Sequence, residues 1–243
     1  TYQLVHFFRN GHGELGPQHQ PEFMGLEFYE AFRDYRDIMV TTERLVRSLA
    51  QDLGNPLRDE SAFERLRVED AFQKHAHIDL GAARTLDSLR EAATRGGIVT
   101  HGADSYDDIF FRIFLEKVEA HLGSGTPTFL YDYPLSMAVM AKASASHPHL
   151  AERVELYMDG VELANGFGEE NNVEIQRARF VADRKVIDPT ESAPLDEAFL
   201  SALQHGMPPS AGIAIGFDRL LMVLLKKESI SEVIPFPLRP APV

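Results

Sequence analysis

Gly206-Met-Pro-Pro-Ser-Ala-Gly-Ile-Ala-Ile-Gly-Phe-Asp-Arg-Leu-Leu-Met-Val-Leu-Leu225 is the stretch that decides the fold. Ile213, Ala214 and Ile215 form a short apolar run between glycines, which reads as a buried strand. Gly216 and Phe217 make the turn. Asp218 is of a type suited to a helix N-cap, and Leu220, Leu221, Leu224 and Leu225 recur at helical spacing. Arg219 then falls in the first helical turn, where the helix dipole disfavours a cation. An arginine held against that dipole beside a glycine-rich strand points to a phosphate, because a guanidinium offers paired donors to it. The plain alternative is a strand–helix unit with an incidental arginine.

The chain opens with a second decisive pattern. Thr1 to Phe8 reads as a strand running into Arg9, and Pro21 to Ala31 as a longer one, joined by a Gly-rich loop. Alternation puts Phe23, Gly25, Glu27, Tyr29 and Ala31 on one face, and Met24, Leu26 and Phe28 on the other, against a core. The first face carries an aromatic, a carboxylate and a phenol. At about 3.3 Å per residue, Phe23 and Glu27 stand roughly 13 Å apart. A solvated strand face would carry the same residues.

Between these ends, Tyr35 to about Leu53 has a helical pattern. Helices are expected near Val68–His75, Thr85–Arg95 and Asp107–His121, making 55–125 a mainly helical insertion. His75, His77 and His101 lack paired ligand spacing, so no metal site is expected there. Thr128 to Tyr131 reads as a buried strand. Val154–Tyr157 and Val161–Leu163 flank Asp159-Gly160, a two-residue hairpin turn. Tyr157 then pairs with Glu162, with Glu155 diagonal to it on the same face. Two carboxylates about 7 Å apart on one face repel unless a cation sits between them, which favours a magnesium site over a solvated acidic face. Glu174 to Lys185 and Asp196 to Gln204 complete the helices. The order implies an α+β fold, a mostly antiparallel sheet flanked by helices.

Composition narrows the function classes. The 243 residues are 44% hydrophobic, enough for one large domain with its own core. No apolar run approaches membrane-spanning length, so no membrane partner is expected. A net charge of −13 argues against a broad nucleic-acid surface. Zero cysteines exclude disulfides and thiolate metal sites and fit a cytoplasmic location. No activated Ser or Cys stands out as a nucleophile.

Three segments resemble the class II aminoacyl-tRNA synthetases, in particular the lysyl branch. They are Phe8-Arg9-Asn10 with His19-Gln-Pro-Glu-Phe23 and Leu26-Glu-Phe-Tyr29; Arg153-Val-Glu155 through Glu162-Leu-Ala-Asn-Gly-Phe-Gly-Glu169; and the opening stretch around Arg219. Within that branch the chain resembles truncated paralogues that attach (R)-β-lysine to elongation factor P. The resemblance implies a single class II catalytic domain over residues 1–243. It would lack the N-terminal motif 1 region, through which the family forms homodimers, and any anticodon-binding domain.

The resemblance also implies roles. Arg9 and Arg219 would be catalytic, holding the α- and γ-phosphates of ATP. Asn10, His19 and Phe23 would complete the ATP site, with Phe23 on adenine. Glu155 and Glu162 would hold Mg2+ on the phosphates. Glu27 and Glu169 would bind the substrate's side-chain ammonium with Tyr29 beside them, and Ala164, Asn165 and Phe167 would line the rest of the amino-acid pocket. Two departures stand out: Gly11 follows Asn10 where the family usually has Glu, and the loop before His19 is longer, so Glu14 is a candidate for the adenine contact. Three functions follow. The first is ATP-dependent activation of lysine or β-lysine and its transfer to a lysine side chain of elongation factor P, which Ala164 in place of the usual glycine favours. The second is a catalytic fragment charging tRNA, and the third a catalytically weakened binding module.

One conflict is internal to the sequence. If the roles implied by the resemblance hold, Glu162 must face the metal while Asn165, Phe167 and Glu169, of opposite parity, must face the same cavity. A regular strand forbids this, so a bulge is expected within Leu163–Gly166.

Overall fold

A computed structural model describes residues 1–9, 11, 15–57, 61–186 and 194–238. Its centre is a seven-stranded sheet. The strands are β1 (Tyr2–Phe8), β2 (Glu22–Ala31), β3 (Glu64–Arg67), β4 (Thr128–Pro134), β5 (Leu150–Met158), β6 (Val161–Gly168) and β7 (Ser210–Gly216). They lie in the order β1-β2-β7-β6-β5-β4-β3. Every neighbouring pair is antiparallel except β3 and β4, which run parallel. The sheet with its flanking helices is the expected α+β architecture.

The sheet buries both faces. One packs on α1 (Tyr35–Asp52) and α7 (Phe217–Leu224), where Ile38, Met39 and Val46 meet Val154, Leu156, Ile213 and Leu220. Asp34 starts α1 with a reciprocal capping box, accepting from Asp37 N while Asp37 accepts from Asp34 N. Ile38 and Val46 are completely buried, and removing each from water is worth about 1.5–3 kcal/mol. The other face meets α2 (Val68–Ala76), α3 (Leu86–Arg95) and α4 (Tyr106–Ile113), whose Phe72, Leu89 and Phe110 pack with Leu130 and Tyr157. The remaining helices are α5 (Val173–Val186) and α6 (Glu197–His205).

Two expectations need correction. Asp218 does not cap α7; Gly216 takes that position, and Asp218 sits inside the first turn. It is buried and accepts the Met24 N–H at 2.7 Å, tying α7 to β2. Alongside α2, α3 and α4, the stretch 55–125 also supplies β3, an edge strand too short for its alternation to stand out. The helix expected over Asp107–His121 narrows into pieces: α4 is followed by a wide π turn at Phe114–Val118 and a tight turn at Glu119–His121.

The hairpin joining β5 and β6 turns at Asp159 and Gly160, both at positive φ, the geometry that matches strand twist. Met158 pairs with Val161 and Tyr157 with Glu162, but Leu156 then pairs with Ala164. Leu163 is the extra residue. Beyond it, Glu155 pairs with Asn165 and Arg153 with Phe167. The bulge thus falls inside the expected four residues and returns Asn165 and Phe167 to the Glu162 face. Close packing follows at once: a Cβ on Gly166 would stand 2.8 Å from the Gly212 carbonyl oxygen on β7. Because backbone there cannot move aside, Gly166→Ala should destabilise the fold by about 1–3 kcal/mol in urea titration. A loss below about 0.5 kcal/mol would show that β6 and β7 separate freely.

Candidate active site

Strand register assembles one polar row. Glu27 on β2 pairs with Ala214 on β7, Ala214 with Asn165 on β6, and Asn165 with Glu155 on β5. One row along, Tyr29 pairs with Gly212 and Gly212 with Phe167. Small residues at β7 leave a trough between the polar side chains of its neighbours. A cavity of about 400 Å³ occupies it, lined by Arg9, His19, Phe23, Glu27, Glu162, Ala164, Asn165, Phe167 and Arg219 among others. Nine expected site residues therefore meet in one place. Tyr29, Glu155 and Glu169 are not among the residues that line it. Asn10 and Glu14 lie outside the described residues.

One end is cationic. Arg9 follows β1, and its guanidinium carbon lies 5.3 Å from the centroid of the Phe23 ring, which stacks on Phe7 at 5.6 Å. Arg219 reaches from the first turn of α7. Its Nε donates to the Gln18 carbonyl at 3.0 Å, Nη1 to the Glu162 carbonyl at 3.1 Å, and Nη2 to His19 Nε2 at 2.7 Å. A guanidinium only donates, so His19 Nε2 is the accepting nitrogen.

The acidic pair divides in two. Glu162 faces the cavity, and burial, then the neighbouring Glu155 charge, lift its pKa from 4.5 to about 7. Glu155 is buried and committed elsewhere. Its Oε2 accepts from the Tyr133 and Tyr157 hydroxyls, and its Oε1 from Arg153 Nη2 at 2.6 Å. That uses three of about four acceptor positions. Among the described residues no three His, Asp or Glu side chains cluster as a ready-made metal cage. The donor set fits a cation shared with a ligand's own oxygens: Glu162 as the cavity-side carboxylate, with Glu155 as fixed charge behind it.

The opposite end is anionic. An added Cβ on Gly212 would stand 2.4 Å from Tyr29 Cδ1 and 2.7 Å from Glu169 Oε1, so the phenol and the carboxylate both rest on bare backbone. Burial, then the Glu27 charge, raise the Glu169 pKa to about 7. Burial, then Glu169 and Glu27, raise Tyr29 to about 12. Among the described residues neither Glu27 nor Glu169 has an ion-pair partner. Asn165 Oδ1, on the cavity wall between the two ends, is buried without a hydrogen-bond partner. Neighbouring half-buried carboxylates and an orphan acceptor call for a bound cation with N–H donors.

Ala164 lies in register with Leu156 and Ile215, two core residues, and is itself 3% exposed. Its methyl therefore belongs to the bulge packing, and Ala164 borders the cavity from there. Sequence reasoning missed Tyr133 and Asp218. The two tyrosines in the mostly buried strand Thr128–Pro134 were the available signal, since a buried phenol needs a hydrogen-bond partner.

The Glu169 shift has a stability consequence. Its folded pKa of about 7 exceeds its ordinary 4.5, so its stabilising contribution is complete below about pH 4.5 and is lost as pH rises toward 7. Glu162 contributes in the same direction. Urea midpoints of the unliganded protein should therefore fall between about pH 5 and 7, and Glu169→Gln should flatten part of that fall. An unchanged slope in the variant would mean that the Glu169 carboxyl is solvated.

The comparisons agree with this geometry. The family described as tRNA synthetases class II (D, K and N) matches residues 1–240. A lysine–tRNA ligase of Gloeobacter violaceus is 38% identical over 99% of this chain and 50% of its own length. Lysine–tRNA ligases of Nostoc punctiforme and Staphylococcus aureus are 36% and 35% identical, each over 98% of this chain and 44% and 49% of their own. The chain thus spans about half the length of the curated relatives it matches. With its antiparallel sheet and a match along nearly its whole length, this chain belongs to the class II tRNA synthetase family of the D, K and N type.

Proposed function

We propose that this chain activates a lysine-type amino acid with ATP and passes the acyl group to an acceptor. The observation that carries this reading is the unpaired Glu27–Glu169 couple at one end of a cavity whose other end presents Arg9 and Arg219. A molecule with an ammonium at one end and phosphates at the other matches that polarity.

In this reading the substrate carboxylate attacks the α-phosphorus, forming an acyl–phosphate bond while pyrophosphate leaves with the electrons of the broken P–O bond. Arg9 would hold the α-phosphate and Arg219 the γ-phosphate, with His19 beside it. Phe23 would stack on adenine. Glu27 and Glu169, with Tyr29, would hold the side-chain ammonium, and the Asn165 amide and the Phe167 ring would position the rest of the amino acid. Mg2+ neutralises phosphate charge when bound, and Glu162 would hold it from the cavity wall. Catalysis then rests on positioning and on charge, with no covalent enzyme intermediate.

The proposed acceptor is a lysine side chain of elongation factor P. Its support is the net charge of −13, which disfavours a broad polynucleotide surface. Charging of tRNA is the second reading, favoured by the relatives, which are lysine–tRNA ligases. Labelled lysine and β-lysine, offered with tRNA(Lys) or elongation factor P, separate the two. A cytoplasmic homodimer belongs to the same proposal. Zero cysteines suit that location, and β1 leaves Tyr2, Leu4 and Phe8 exposed at the sheet edge. Among the described residues no helix is long and apolar enough to cross a membrane.

Two variant sets test the site. Arg219→Ala should lower ATP–pyrophosphate exchange ~30- to 1000-fold, with the circular dichroism spectrum retained. Activity within about threefold of the parent would remove Arg219 from the assignment. Glu27→Gln and Glu169→Gln should each raise KM for the lysine-type substrate far more than KM for ATP, since each leaves the ammonium facing a neutral group. Equal shifts for both substrates would show that these carboxylates do not set specificity.

A further inference from the structure

Four consecutive loop residues are each tied to the last quarter of the chain. The Pro17 carbonyl accepts from Ile230 N at 2.8 Å. The Gln18 carbonyl and the His19 ring both take donors from Arg219. Gln20 makes the most specific tie: its Oε1 accepts from Leu238 N at 2.9 Å, and its Nε2 donates to Leu238 O at 3.3 Å. Its amide thus pairs with both backbone groups of one residue 218 positions away, and Gln20 is 5% exposed.

The sequence explains why Leu238 serves. In Pro235-Phe-Pro-Leu238 the two prolines fix φ and have no N–H. Of the two residues left with a complete backbone pair, Phe236 points away and is 93% exposed. The loop itself is closed by a tight Gly16–His19 bridge, so a pull on Gln20 is passed to its neighbour His19. His19 and Gln18 in turn hold the Arg219 guanidinium, and Ile230, next to the strap, lines the same cavity.

We propose that Gln20 is a positioning residue for the nucleotide end of the cavity, held by the C-terminal strap through Leu238. This inference rests on the reading of that end as an ATP site. Among the described residues no hydrogen bond or ion pair joins the strap to Glu27 or Glu169, so its loss should act on one substrate alone.

The test uses two variants of this chain that cut the same tie from opposite sides. Gln20→Ala removes the side chain, and Leu238→Pro removes the N–H while leaving the loop intact. Kd values for a non-hydrolysable ATP analogue and for lysine are measured by calorimetry, with hydrogen exchange followed at residues 16–20. Both variants should weaken analogue binding about tenfold, the size of one lost buried hydrogen-bond partner, with lysine binding within about twofold of the parent. Both should also speed exchange in the loop. Unchanged analogue affinity in either variant overturns the proposal, as does an equal loss for both ligands, which would mark a merely structural role. If the parent chain itself binds lysine but not the analogue, the ATP reading fails and this inference fails with it. A parent that binds both while the variants match it sinks this inference alone.

Discussion

The site depends on one inserted residue. Side chains alternate along a strand, so Glu162 and Asn165 in an unbroken β6 would face opposite sides of the sheet. Leu163 adds one residue against Leu156, and everything after it changes face. Glu162, Asn165 and Phe167 then line one cavity, and the Glu169 carboxylate rests on Gly212. The bulge also sets the Glu162 carbonyl where Arg219 Nη1 donates to it, linking that arginine to the irregular backbone.

Charge is distributed along the trough with equal economy. Arg9 and Arg219 converge near Phe23 and His19, while Glu27 and Glu169 converge beyond Asn165. Each like-charged set is unfavourable by itself in a half-buried cleft, and an oppositely charged ligand relieves it. The deeper Glu155 shows the contrasting case. Two phenols and a guanidinium satisfy it, so it acts as a fixed part of the scaffold while Glu162 stays open toward the cavity.

Much of this was legible before any coordinates. The alternation in β2, the Asp159-Gly160 turn and the parity conflict in β6 are local, and each led to an element or irregularity that the structure contains. Other features depend on partners distant in sequence. Asp218 has the composition of an N-cap, but the Met24 amide, 194 positions away, claims its carboxylate. β3 is four residues long and exists as a strand through its pairing with β4, so its own pattern is mute. Glu155 and Glu162 look equivalent by spacing, and only the surrounding tyrosines and Arg153 separate their roles. The tie between Gln20 and Leu238 spans nearly the whole chain and leaves no periodic trace.

The central claim is that the Glu27–Glu169 couple selects a side-chain ammonium for activation at the Arg9–Arg219 end. ATP–pyrophosphate exchange measured across a panel of amino acids tests it most directly. Exchange is predicted with lysine or β-lysine, and not with norleucine, which keeps the chain but lacks the ammonium. Exchange driven equally well by norleucine, or by no amino acid of this type, would contradict the account.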